Sequence, residues 1–110
     1  MISRGHVYWV SFDGSVGAEI RKTRPAVVVS DDLYNIHMRT VTVAPLSSSV
    51  PARTFEVAVP AGILGDGRPC KVSAHQLRTV DKARLSKPLG KLPELLMRQV
   101  DASLREHLCL

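Results

Sequence analysis

Arg24 stands between a loop-like stretch, residues 15–23, and the apolar run Pro25-Ala26-Val27-Val28-Val29. The residue before a proline is pushed out of the α region. Arg24 therefore leaves the loop with an extended backbone, and its guanidinium is aimed rather than free. An arginine stays charged at any working pH and offers a planar fork of donors suited to a phosphate, in binding or in a transition state. The structural alternative for the same residue is an ion pair with Glu19 or another nearby acid.

Two other places carry reactive groups. Ala44-Pro45 stops a strand-like stretch and is followed by Ser47-Ser48-Ser49, whose hydroxyls and backbone N–H groups can line an anion site, although polar loops often look like this without one. His75-Gln76 supplies the ring best matched to proton transfer near neutral pH, although a lone histidine is commonly structural or simply exposed. His6, His37 and His107 are scattered, as are Cys70 and Cys109. No C-x-x-C or other ligand spacing is present, so no protein-held metal and no disulfide framework is indicated, and two buried thiols are expected.

The elements that must hold these groups are mostly strands. Residues 6–12 are rich in β-branched and aromatic types and end at Asp13-Gly14, giving a first strand. Residues 15–23 include Gly17, Glu19, Arg21 and Lys22 and lack strand periodicity, as an exposed, mobile loop would. Residues 25–30 form a short, wholly apolar run, predicting a strand that starts at Pro25 and is buried on both faces. Asp31 and Asp32 read as caps of a single turn. Residues 39–44 alternate, predicting a strand with one solvated face that Pro45 ends.

Further strands are predicted over residues 54–59 and 70–77, around a Gly-rich turn at 60–67, with a last short one at 89–92 and a helical turn at 80–85. Pro93 at a first helical position, Glu94, and Leu96, Val100, Leu104 and Leu108 at intervals of four predict an amphipathic C-terminal helix covering an open end of a barrel.

With 110 residues, 12.0 kDa and 45% hydrophobic content, the chain suits one folded domain over residues 1–110 and excludes disorder. It has no apolar run of about 18 residues, and Met1-Ile2-Ser3-Arg4-Gly5-His6 lacks the features of a signal peptide. A cytoplasmic location away from membranes is expected. The net charge of +5 is uneven. Arg68, Lys71, Arg78, Lys82, Arg84, Lys87 and Lys91 stand against the single acid Asp81, which suits a phosphate-rich or acidic partner, or equally a solvated basic surface. Tyr8, Trp9, Phe12, Tyr34 and Phe55 are the only aromatics, too few for a binder built mainly on stacking platforms; a charged groove with polar contacts fits better.

Three segments taken together, Arg4-Gly5-His6-Val7-Tyr8-Trp9-Val10, Gly17-Ala18-Glu19 and Thr23-Arg24-Pro25-Ala26-Val27-Val28-Val29-Ser30, resemble the N-terminal half of the MazF/PemK toxin family. Val43-Ala44-Pro45-Leu46-Ser47-Ser48 is similar to that family's strand-end segment, and Gln76-Leu77-Arg78-Thr79-Val80-Asp81-Lys82-Ala83-Arg84-Leu85 to its late signature. The likeness runs nearly full length, in order and with matching spacings.

The resemblance implies a mainly β fold with a C-terminal α-helix, the SH3-like barrel of the CcdB, Kid and MazF proteins. It implies a homodimeric type II toxin that cleaves single-stranded RNA selectively, without metal or other cofactor, to a 2′,3′-cyclic phosphate and a 5′-hydroxyl. It also implies a cognate MazE-like antitoxin whose tail, often acidic, occupies the RNA groove. The family's arginine before proline falls on Arg24 and its paired hydroxyl on Ser47, where many members have threonine. The histidine and Arg-x-Asp set of some plasmid-borne members falls on Ala18, Ser73 and His75 and is largely absent.

Arg24 suits charge stabilisation at the phosphate and is a poor proton shuttle; Ser47 can donate a hydrogen bond but is no base unaided. Glu19 and His75 are the candidates for proton transfer, and Arg21, Lys22, Ser48, Ser49, Arg53, Gln76 and Arg78 for holding RNA. A CcdB-like gyrase poison and a non-catalytic RNA-binding barrel are the alternatives that the sequence leaves open.

Overall fold

A computed structural model describes residues 1–19, 22–65 and 67–110. Its elements are β1 (His6–Ser11), β2 (Thr23–Val28), α1 (Asp32–His37), β3 (Thr40–Ser47), β4 (Glu56–Val59), β5 (Cys70–Ser73), β6 (Arg78–Asp81), β7 (Leu85–Lys91) and α2 (Glu94–Leu108). Single 3-10 turns at Ala74–Gln76 and Lys82–Arg84 join β5 to β6 and β6 to β7. The strands are antiparallel, in the order β4-β5-β3-β2-β1-β7 with β6 also beside β3. This is the mainly β architecture with a C-terminal helix that the resemblance implies.

The centre of the sheet is apolar on both faces, which is why β2 reads as a continuous apolar run. Val27, Val29, Ala44 and Leu46 pack toward Val57 and Val72 and toward Met97 and Val100 of α2. Ala26, Val28, Val41 and Val43 pack the other way, against Val10, Phe12 and Val80. Full burial of each such side chain contributes about 1.5–3 kcal/mol, so β2 and β3 form a stiff base for whatever their ends carry.

The prolines show how the site end is built. Pro45 does not end β3; the strand runs on to Ser47. On one edge β3 pairs with β6 over Thr40–Val43 and with β5 over Leu46–Ser47, and Pro45 falls in the gap between those two partners. No ladder donor is lost there. Pro25 lies inside β2, opposite Trp9, whereas pairing of β2 with β3 begins only at Ala26.

Other boundaries differ for tertiary reasons. The helical turn expected over residues 80–85 is present at Lys82–Arg84, but residues 80–81 belong to β6 (Arg78–Asp81), because β3 offers a partner: Thr42 pairs with Thr79, their hydroxyls 3.0 Å apart. The strand predicted over residues 70–77 stops at Ser73, and His75 lies in the 3-10 turn. In α2, Pro93 takes the N-cap position, and the buried stripe is Met97, Val100 and Ser103; Leu108 is 48% exposed. Cys70 is partly buried and Cys109 exposed, correcting the expectation of two buried thiols.

Asp31 caps α1, its carboxylate accepting from Leu33 N at 2.9 Å, while Asp32 accepts from Arg4 N at 2.7 Å. Arg4 also donates to the Val29 carbonyl and pairs with Asp101, tying α2 to the end of β2. Gly5, at φ 89, donates to Val28 O and accepts from Leu92 N, a close junction suited to a residue without a side chain.

Candidate functional site

The β2–β3 register pairs Ala26 with Pro45, Val27 with Ala44 and Val28 with Val43. Extending it by two residues brings Arg24 opposite Ser47, and both line one cavity of about 340 Å³. Arg24 is partly buried there. The Ser47 Oγ accepts from Ser49 N at 3.1 Å, which leaves its O–H to donate. Ser48 and Arg68 complete the polar side of the cavity. Glu19 is not the partner of Arg24: its carboxylate accepts from Val16 N at 2.9 Å within its own loop.

Glu19 and His75 come together in a second cleft, with Gln76 and Arg78. The Arg78 guanidinium lies 5.9 Å from the Phe12 ring centroid, within cation–π range, and donates to Ser15 Oγ at 2.8 Å. His75 also faces a third cleft, shared with Ser49, Arg53, Glu56 and Lys71. Its ring is braced by Phe55 and by His107 of α2, with centroids 6.5 and 6.3 Å away, and its buried Nδ1 has no hydrogen-bond partner. The structure thus unites Arg24 with Ser47 and Glu19 with His75 but sets the two pairs in different clefts. Ser47, Ser48 and Ser49 join them, because Ser48 lines the first cleft and Ser49 the third.

Residues 48–55, which carry two of those serines, are tied down from below. Lys71 Nζ donates to Glu56 Oε1 at 2.9 Å, and each side chain is only 9% exposed. The same carboxylate accepts from Arg53 N at 2.8 Å and from Ser73 Oγ at 3.3 Å, and Lys71 reaches the Pro51 carbonyl at 3.5 Å. Burial pushes the Glu56 carboxyl up, but Lys71, the Arg53 N–H and Ser73 outweigh it and hold the group below its ordinary value.

The basic stretch is less free than its composition suggests. Lys71 is buried in its ion pair, Arg78 bonds Ser15, Lys82 donates to the Asn35 carbonyl, and Arg84 Nη1 donates to the Ser11 and Asp13 carbonyls at 3.1 and 3.2 Å. Of the remaining residues expected to hold RNA, Ser48, Ser49 and Arg53 are exposed at the clefts, Gln76 is partly buried, and Lys22 is exposed at φ 67. Arg21 lies outside the described residues. Among the described residues no three His, Cys, Asp or Glu side chains are grouped to hold a metal ion, and no helix is long and apolar enough to cross a membrane.

Sequence reasoning did not single out Trp9, Lys71 or the Phe55–His107 brace as parts of the site. Lys71 pairs with Ala58 and Glu56 with Ser73, so the two charges are diagonal neighbours on one face of β4 and β5; a lysine and a glutamate each set beside valines in short strand-like runs were the signal for that pair.

The family profile of PemK-like, MazF-like toxins of type II toxin-antitoxin systems matches residues 3–108. Endoribonuclease MazF9 of Mycobacterium tuberculosis is 34% identical over 114 residues, spanning 98% of this chain and 97% of that protein. MazF of Deinococcus radiodurans superposes with a TM-score of 0.87 at 28% identity, covering 98% of this chain and 96% of that one. A MazE–MazF structure from the same organism gives 0.78 at 28% identity, with the same coverage.

Proposed function

The chain belongs to the PemK-like, MazF-like toxins of type II toxin-antitoxin systems and is an endoribonuclease, and on that footing we propose that it cleaves single-stranded RNA with Arg24 and Ser47 at the reacting phosphate. The observation that carries this assignment is their shared cavity, at facing ends of β2 and β3.

In the reaction, a ribose 2′-oxygen attacks its own 3′-phosphorus, the bond to the 5′-oxygen of the next nucleotide breaks, and a 2′,3′-cyclic phosphate and a 5′-hydroxyl result. The nucleophile comes from the RNA itself, and no resident metal or cofactor takes part. Negative charge grows on the phosphoryl oxygens, where a fixed guanidinium is worth most. Ser47 donates its O–H to the same group. The proton from the 2′-hydroxyl goes to a general base, and the leaving oxygen takes one from a general acid. His75 is the stronger candidate for one of these transfers, because Glu19 is engaged by Val16 N. Ser49, Arg53, Gln76 and Arg78 line the clefts that flank His75 and hold the RNA strand, with Lys22 and Ser48 at its margins.

One domain, residues 1–110, carries the activity, acting in the cytoplasm on the cell's own RNA. The same basic clefts suit the acidic tail of a MazE-like antitoxin. Leu33, Ile36 and Met38, at 70%, 51% and 48% exposure along and just after α1, support a homodimer that covers them.

The test is incubation of the purified chain with mixed-sequence RNA in chelator, followed by identification of the product ends. Cyclic phosphates and 5′-hydroxyls are expected, with Arg24→Ala slower by at least about 100-fold. Near-normal cleavage by a folded Arg24→Ala protein overturns the assignment.

A further inference from the structure

The cavity holding Arg24 and Ser47 has two unlike kinds of lining. Arg24, Arg68, Ser47 and Ser48 supply its charged and polar lining; Trp9, Leu64, Pro69 and Leu89 supply apolar surface. A nucleotide has the same division, a charged phosphate joined through one ribose to an apolar, planar base. At about 340 Å³ the cavity is within the range of small-ligand sites. We propose that it is the pocket for the nucleobase next to the scissile phosphate, with Trp9 as its stacking wall. The inference rests on the reading that Arg24 and Ser47 engage that phosphate.

Trp9 is placed for this by the sheet. β1 and β2 pair Trp9 with Pro25 and Val10 with Arg24, so Trp9 and Arg24 are one residue out of register on adjacent strands, and both reach the lining of the same cavity. The Trp9 backbone is held by that ladder and by Ser86 Oγ, which donates to its carbonyl at 3.3 Å. Its ring is only partly buried, and its indole N–H makes no hydrogen bond among the described residues. The indole N–H is not among the buried unpartnered groups, so it is open to solvent and accessible to a ligand's acceptor.

Leu64 lies against β7: a Cβ at Gly90 would stand 3.4 Å from Leu64 Cδ2, an ordinary contact distance, and Leu64 and Leu89 line the cavity with Trp9. Proteins that read single-stranded RNA splay bases onto aromatic faces and hydrogen-bond their edges. Arg68 and the serines offer donors at the rim, so the pocket discriminates by edge as well as by stacking. A chain with few aromatics needs only one such platform when it stands beside the reacting phosphate.

The test begins with a randomised RNA cleaved in chelator by the wild-type chain, Arg24→Ala, Trp9→Phe and Trp9→Ala, reading the base distribution around each cut. Trp9→Ala is expected to flatten the preference at one position adjacent to the cut and to lower kcat/KM about tenfold or more. Trp9→Phe should keep the preference with a smaller loss. A purely structural Trp9 would lower Tm and leave the distribution unchanged.

Trp9 is the chain's single tryptophan, so wild-type fluorescence gives a reading independent of the variants' folding. The probe is a 2′-O-methyl oligonucleotide of the preferred sequence, which cannot be cleaved for want of a free 2′-hydroxyl. Quenching on binding, lost when the adjacent nucleotide is abasic, supports the pocket. An unchanged base distribution in folded Trp9→Ala, or unchanged fluorescence at saturation, overturns it. If wild type cleaves and Arg24→Ala does not, that failure belongs to the pocket alone; if wild type leaves RNA intact, the cleavage reading itself fails.

Discussion

Lys71 Nζ lies 2.9 Å from Glu56 Oε1, with both side chains nine-tenths buried, and the bond joins β5 to β4 beneath residues 48–55. Lys71 is also the cross-strand partner of Ser47. The residue that anchors the loop therefore stands next to the hydroxyl that the loop follows.

Removing one member of this pair leaves the other charge buried and unpaired. Lys71→Met is expected to cost about 3–5 kcal/mol of stability, and the double substitution Glu56→Gln with Lys71→Met less than that single change. Urea unfolding of the three proteins checks this. Equal stability of Lys71→Met and wild type would falsify the account of a desolvated pair.

The Glu56 carboxyl is held below its ordinary value of 4.5, so its contribution to stability is complete above that value and is lost as pH falls through the lower value in the folded chain. Wild type should therefore be more stable than Glu56→Gln near pH 7, and the gap should narrow below about pH 4.5. A gap that stays constant down to about pH 3 contradicts the assignment.

Ser47 Oγ accepts a hydrogen bond from Ser49 N and keeps its O–H to donate. Ser47→Thr keeps both functions and adds a methyl that restricts the rotamer, so cleavage should persist within a few-fold of wild type. Ser47→Ala should slow it about tenfold or more, by the loss of a donor at the reacting phosphate. Single-turnover rates on one defined RNA separate the two, and equal rates for serine and alanine remove Ser47 from the reaction.

Proton transfer is assigned to His75 in preference to Glu19. His75→Ala should change the shape of the pH–rate profile, while Glu19→Gln should alter its height only slightly. The reverse pattern would transfer the role to Glu19, and no change in either would send it elsewhere.

The apolar side chains of α1 give a further expectation. Ile36→Glu should convert a dimer to a monomer in sedimentation at micromolar concentration, because a charge cannot be buried unpaired at such a contact. An unchanged sedimentation coefficient places the dimer contact elsewhere.

What the sequence determined by itself is local or periodic. The run Pro25-Ala26-Val27-Val28-Val29 is apolar at every position because both faces of β2 are covered, and helical spacing gives the existence of α2, although its buried stripe centres on Met97, Val100 and Ser103. Asp31 could be read as a cap because capping is a contact between near neighbours. Arg24 could be read as aimed because Pro25 restricts the residue before it, and the resemblance linked it with Ser47.

The tertiary structure decided what depends on residues far apart in the chain. Pro45 looks like a strand terminator until β3 is seen to change partners beside it, and β6 (Arg78–Asp81) becomes a strand because β3 offers it a ladder. The basic stretch looks like a surface until Lys71, Arg78, Lys82 and Arg84 are each found bonded within the fold. Glu19 and His75 stand together but apart from Arg24, because strand register, not sequence spacing, sets which side chains share a cleft. Trp9 beside Arg24 is the clearest case: composition counts it as one aromatic among few, and only the fold brings both residues to the lining of one cavity.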